Sequence, residues 1–246
     1  HNSLFLIAHF HNVIIGGVLF GLFAAINYWW PKAFGFKLNQ FWGKVSFWCW
    51  NIGFWLAFTP LYVMGLMGVT RRMRVFDDPS LQIWFVIAAI GAAIVAAGIG
   101  AMLVQFAVSI WKRDELKVEG DPWDGRTLEW ATSSPPPEYN FAFTPVVYDT
   151  DTWADMKRNN YQRPLSGYQA IHMPSSTGAG VILAGLATLC GFALIWYIWW
   201  LAGLSFLGII AVAIGHTFNY KRDFYIPAEE VTRTEEERTR ILAAGV

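Results

Sequence analysis

The run Leu4-Phe5-Leu6-Ile7-Ala8-His9-Phe10-His11-Asn12-Val13-Ile14-Ile15-Gly16-Gly17-Val18-Leu19, apolar onward to Trp30, decides the fold. It is too long and too apolar for an ordinary globular helix and matches one crossing of the ~30 Å hydrocarbon layer. Two imidazoles inside it are costly in lipid, and ionisable groups at that depth mark function. Each helical residue advances about 100°, so positions i and i+2 point roughly 200° apart. His9 and His11 therefore do not share one metal ion; they face apart, with Phe10 pointing between them.

The remaining chain extends this picture. Its composition is 55% hydrophobic, 17% aromatic and 15% charged, which suits a polytopic membrane protein. Zero formal net charge argues against nucleic acid as a partner. Four further spans follow, Phe41 to Gly68, Leu81 to Trp111, Gly178 to Trp199 and Leu201 to Phe218. The last two are nearly continuous, and the division is placed at Trp200 to Gly203 because the apolar stretch exceeds one crossing; one long broken helix is the alternative. The expected fold is an all-α transmembrane bundle of about five spans. It is organised as 1–111 (three spans, with the histidine helix), 112–177 (a long irregular loop), 178–219 (two spans) and 220–246 (a tail).

Five spans leave Arg71, Arg72 and Arg74 on one side, with Lys32, Lys37, Lys112, Arg113, Lys221 and Arg222 among the basic residues on the other. The positive-inside rule makes the second side, with the long loop and C-terminal tail, cytoplasmic. Trp29, Trp30, Trp42, Trp111, Trp199 and Trp200 fall near the predicted interfaces. The opening residues show no initiator Met, no basic n-region and no small-residue cleavage site, and the chain is expected to be the C-terminal piece of something longer.

Other features read as structural. Cys49 and Cys190 lie in different spans and are expected to be buried free thiols. The third span carries two ladders, Ala88-Ala92-Ala96-Gly100 and Ala89-Ala93-Ala97-Ala101, which predict a helix-packing face, a ligand channel being the alternative. In the loop, Gly120 to Trp130 and Ser133-Ser134-Pro135-Pro136-Pro137 predict ordered turns and extended backbone, with solvated rather than catalytic carboxylates. The tail, with Glu235-Glu236-Glu237-Arg238, reads as a surface helix or frayed end.

Neutral imidazole is the usual axial ligand of haem iron, one ring nitrogen binding metal while the other is oriented by an acceptor. One helix with two opposed imidazoles can hold two haems. Helix radius, side-chain reach and a ~2 Å metal–nitrogen bond put the irons within roughly 20 Å of each other. His1, eight residues before His9 and on nearly the same face, is placed to bond a propionate or a water. Arg71, Arg72 and Arg74 break the positive-inside pattern, and outward haem propionates would explain them, because guanidinium forks bind carboxylates bidentately. A solvated cluster partly offset by Asp77 and Asp78 is the other reading.

These residues resemble a known family. His1 to Asn12, Tyr28-Trp29-Trp30-Pro31-Lys32, Thr70-Arg71-Arg72, Asp121 to Trp130 and Ser133 to Pro137 are similar to the tenth helix and following regions of subunit I of haem-copper terminal oxidases. The likeness is greatest to the bacterial cytochrome bo-type ubiquinol oxidase branch and covers nearly the whole chain. The resemblance implies that His9 is the axial ligand of the high-spin haem and His11 one of two ligands of the low-spin haem, with Phe10 between the two. It makes Arg71 and Arg72 propionate-binding residues and places His1 near the high-spin propionate. Asn2 stands where cytochrome c oxidases usually carry a magnesium-binding aspartate, which favours the quinol branch.

The implied function is that of the C-terminal portion of a proton-translocating ubiquinol oxidase subunit reducing O2 with electrons from ubiquinol. Cytochrome c oxidase subunit I is the runner-up; a noncatalytic, transporter-like protein in which the histidines pack or relay protons is the alternative from another class. The implied cofactors are a low-spin haem b, a high-spin haem o or related haem, and copper held by residues outside this chain. Copper ligands, proton-path residues, the quinol site and the second low-spin ligand are all expected upstream. The implied partners are the upstream part of subunit I, subunits II, III and IV, and membrane lipid, in the bacterial inner membrane.

Overall fold

Apolar runs in lipid satisfy their backbone only by coiling on themselves, and each run noted above is helical in the computed structural model, which describes residues 1–159 and 167–244. Among the described residues there are seven helices: α1 (Leu4–Phe34), α2 (Gln40–Leu66), α3 (Gln82–Trp111, led by a 3-10 turn at Pro79–Leu81), α4 (Thr152–Arg158), α5 (Ala179–Ile195), α6 (Trp199–Thr217) and α7 (Ala228–Ala244). Four of them, α1, α2, α3 with its leading turn, and α6, are long and apolar enough to cross a bilayer. The fifth expected span, α5, is apolar but has only 17 residues.

The chain divides into two compact units, one of residues 1–140, 145–161 and 238–246, the other of 141–144 and 162–237. In the first, α1 is not uniform: Leu4–His11 is α-helical, Asn12–Leu19 is a π-helix, and Phe20–Phe34 is α-helical again. The β-branched Val13, Ile14 and Ile15 followed by Gly16-Gly17 weaken α propensity there, so a constant 100° step holds only within each of the two α-helical parts.

The densest packing joins α2 to α3, and glycines set it. A Cβ on Gly91 would lie 2.2 Å from the Ala57 backbone nitrogen, and one on Gly53 would lie 2.7 Å from the Val95 nitrogen. Only hydrogen fits at this crossing. The buried positions of α3 are Gly91, Gly98, Ala101, Gln105 and Ser109. The predicted ladders therefore do not form the packing face: Ala92, Ala96, Gly100, Ala89, Ala93 and Ala97 are exposed, and only Ala101 is buried. Closest approach selects glycine over alanine, and the glycines sit one step off the ladders.

The loop of the first unit is held by specific side-chain hydrogen bonds. Trp130, fully buried, donates its Nε1 to the Tyr28 hydroxyl at 2.7 Å, and Trp123 Nε1 donates to the Tyr28 carbonyl at 2.9 Å. Lys32 Nζ caps Thr132 and Ser133 carbonyls at 2.9 and 3.0 Å. Asp121 is not solvated as expected; its carboxylate accepts from the Gly125 nitrogen at 2.9 Å and from Trp153 Nε1 at 3.1 Å. Residues 160–166 of the predicted loop lie outside the described residues.

In the second unit, β1 (Ile171–Pro174) pairs antiparallel with β2 (Asp223–Ile226), with Ile171 opposite Ile226. This short sheet was not foreseen from the sequence. The helices α5 and α6 pack as a hairpin through small residues: Ala193 and Ala202 are buried, and a Cβ on Gly208 would meet the Leu186 methyls at 3.3 Å. The break falls at Trp196 to Ile198, with Tyr197 at φ 57°, a few residues before the expected division at Trp200 to Gly203. The tail forms α7, whose part from Arg238 onward belongs to the first unit; there Arg238 is buried and donates to the carbonyls of Asn140 and Ala131, both at 2.8 Å. A surface helix or a frayed end is expected from the sequence; Arg238 is instead buried against these two loop carbonyls.

Candidate functional site

The histidine end of α1 starts at Ser3, whose Oγ accepts the Phe5 N–H at 3.3 Å as an N-cap. One face of this segment lies tightly on α2, since a Cβ on Gly65 would fall 2.1 Å from the Phe5 nitrogen. His9 and His11 both lie in the α-helical part, so their side chains leave the helix on opposed sides.

The surroundings of the two rings differ. His11 is half-buried, with Nδ1 2.8 Å from the Ile7 carbonyl oxygen one turn earlier. A carbonyl only accepts, so Nδ1 is the donor in this hydrogen bond, and Nε2 is the ring nitrogen not engaged by it. The ring stacks on Phe10 (4.3 Å between centroids, 29° between planes) and on Phe58 of α2 (4.6 Å, 20°). His9 is exposed, stacks loosely on Phe5 at 6.4 Å, and has no hydrogen-bond partner among the described residues. Next to His11, Asn12 Nδ2 donates to the Tyr62 hydroxyl at 2.9 Å, and Tyr62 meets Phe5 edge-on at 5.0 Å.

The predicted arginines stand at the same end. Ser3 bridges antiparallel to Thr70, the Leu4 N–H donates to the Val69 carbonyl at 3.0 Å, and the Arg71 N–H donates to the Asn2 carbonyl at 3.1 Å. Arg71 Nε also donates to Asn2 Oδ1 at 3.3 Å. Arg72 is exposed and left-handed, at φ 69°. Asp78 accepts instead from the Ser80 N–H at 2.9 Å, and the hydrogen bonds of Ser80 hold its carboxyl below the usual carboxylate range. No ion pair joins Asp77 or Asp78 to Arg71, Arg72 or Arg74 among the described residues. His1 is exposed and next in sequence to Asn2, which holds Arg71.

The donor set fits haem. No group of three or more His, Cys, Asp or Glu gathers among the described residues, so α1 offers single imidazoles rather than a chelating cluster. A single imidazole suits an iron whose other donors come mostly from a macrocycle. The exposed rings of Phe5 and Phe10 supply apolar surface beside each imidazole. Deeper in the unit, a cavity of about 240 Å³ between α1, α2 and α3 is lined by Phe20, Asn27, Trp50, Asn51 and Gln105.

Sequence reasoning did not single out Phe58, Tyr62 or the Ile7 carbonyl. Phe58 and Tyr62 are four apart, so they share one face of α2, but nothing in an aromatic-rich helix distinguishes them.

The chain is similar to known proteins over nearly its whole length. Residues 1–94 match the family described as cytochrome C and quinol oxidase polypeptide I. Ubiquinol oxidase subunit 1 of Acetobacter aceti is 50% identical over 99% of the chain and 38% of its own length. Cytochrome bo(3) ubiquinol oxidase subunit 1 of Buchnera aphidicola subsp. Acyrthosiphon pisum is 51% identical over 96% of the chain and 36% of its own length. A probable cytochrome c oxidase subunit 1 of Bradyrhizobium diazoefficiens is 46% identical over 100% of the chain and 38% of its own length. The chain thus spans little more than a third of these relatives.

Proposed function

From the premise that this chain belongs to the family of cytochrome c and quinol oxidase polypeptide I, we propose that it is the C-terminal portion of the catalytic subunit of a respiratory ubiquinol oxidase. The complex oxidises ubiquinol, reduces O2 to water and couples this to proton translocation. Copper, the upstream part of subunit I and subunits II, III and IV complete it. It sits in the bacterial inner membrane, with the loop and C-terminus on the cytoplasmic side.

The observation that most supports this reading is the His11 ring, hydrogen-bonded through Nδ1 to the Ile7 carbonyl and without a hydrogen bond at Nε2 among the described residues, two residues from a second imidazole facing the other way. His11 holds the low-spin haem b through Nε2. The hydrogen bond to Ile7 fixes the tautomer and raises the ring's basicity as a ligand. His9 holds the high-spin haem, of o or related type, and is the catalytic residue of this chain. Bound haem supplies one-electron redox chemistry and an iron that takes dioxygen. Phe10 separates the two faces with apolar surface. Arg71, with Nε occupied by Asn2, keeps its terminal nitrogens for a carboxylate, and Arg72 and His1 add donors at the same end of α1.

Optical spectroscopy of the purified complex tests the proposal. A Soret band with separable low-spin and high-spin contributions is expected. A fully assembled complex without haem would end the oxidase reading and favour packing or proton-relay roles for the histidines.

A further inference from the structure

Two aromatic rings lie within 4.6 Å of the His11 centroid, at 29° and 20° to its plane. Two nearly parallel rings that close cannot share one face, so Phe10 and Phe58 cover opposite faces of the imidazole. The Ile7 carbonyl holds the Nδ1 edge. Both faces and the Nδ1 atom are thus occupied, and Nε2 has no hydrogen-bond partner among the described residues.

The two walls of this clamp are not equivalent. Phe10 is exposed and belongs to the same helix as His11, so it moves with the ring it contacts. Phe58 comes from α2 and is backed by Phe54, which is 2% exposed and lies 5.3 Å away at 50°. It follows directly on Ala57, whose backbone forms the glycine-only crossing against Gly91. Phe58 is half-buried, and the backbone that carries it is anchored at that crossing. His9 has no equivalent contact from α2 among the described residues.

We infer that Phe58 is a positioning residue that fixes the plane of the His11 imidazole, and with it the plane in which Nε2 meets a haem iron. This rests on the reading of His11 as the low-spin ligand. Removing the Phe58 ring leaves the Nδ1 hydrogen bond as a pivot about which the imidazole turns. The orientation of axial imidazole planes sets the rhombic splitting of a low-spin ferric haem, so electron paramagnetic resonance reads this angle without reference to turnover.

The experiment uses the complete oxidised complex. Phe58→Leu is expected to keep its haem content while shifting and broadening the largest g value of the low-spin signal. Phe58→Tyr, which keeps the ring face, is expected to match the unsubstituted complex. Phe76→Leu, which removes an aromatic contact with Phe85 away from His11, is expected to match it too. An unchanged g value in Phe58→Leu overturns the inference, as does an equal shift in Phe76→Leu. If Phe58→Leu does not assemble, Phe58→Met is read by the same criteria. A complex with no low-spin signal, or one in which His11→Ala retains it, removes the ligand assignment itself. That failure is distinct from a normal signal insensitive to Phe58.

Discussion

The Nδ1 atom of His11 lies 2.8 Å from the carbonyl oxygen of Ile7 on the same helix, whereas His9, two residues before it, has no hydrogen-bond partner among the described residues. One imidazole is locked in its tautomer and the other is not. A locked ligand suits a centre that only passes electrons, where geometry should change little between oxidation states. A looser one suits a centre whose iron exchanges ligands.

Because the two rings leave α1 on opposed sides, His11→Ala is expected to remove the low-spin haem spectrum and leave part of the high-spin signal. His9→Ala should do the reverse. Reduced-minus-oxidised spectra of assembled complexes check this, and equal loss of both signals from either variant counts against separate ligation.

Arg71→Ala and Arg72→Ala remove positive charge beside the proposed propionates, which favours the ferric state and lowers the haem midpoint potential. A partly exposed charge pair is worth roughly 1 kcal/mol, on the order of 40 mV for a one-electron couple. Spectroelectrochemical titration measures it, and unchanged potentials would favour a solvated arginine cluster.

At the crossing of α2 and α3, Gly91→Ala places a methyl group where the Ala57 backbone stands. Overpacking of this kind costs about 1–3 kcal/mol, seen as lower assembled yield and an earlier thermal transition. Gly100→Ala on the same helix meets nothing within 4 Å and should leave both unchanged.

The loop has its own pH dependence. A hydrogen bond from Lys157 holds the Asp124 carboxyl below its ordinary range, and one from Arg126 does the same for Asp151. Folded values below the unfolded one mean that both pairs stabilise the loop above about pH 4 and that this contribution is lost as pH falls through the folded values. Limited proteolysis of the segment before residue 160 should therefore accelerate only in acid. Combining Asp124→Asn with Asp151→Asn should flatten that dependence.

Local periodicity made some of this legible. The opposition of His9 and His11 follows from the helical step alone, and the apolar runs announce their helices. Phe58 was illegible because its significance depends on which of several aromatic residues on α2 reaches His11, and that is settled where α1 lies on α2 at Gly65. The ladders of α3 misled because alanine spacing marks a face able to pack, while the observed contact needed no Cβ at all. The burial of Trp130 and Arg238 depends on partners about a hundred residues away, where no pattern in the local sequence points.

The π-wound stretch Asn12–Leu19 has a consequence for how one helix serves two tasks. Because its residues turn through a smaller angle than those on either side, it acts as a phase shifter between the two ends of α1. A helical wheel that is true for His9 against His11 is false for His11 against Tyr28 or Lys32. The direction in which the upper end presents its imidazoles is thereby uncoupled from the direction in which the lower end grips the loop. Deleting one residue within the stretch would restore a single angular frame along the whole of α1.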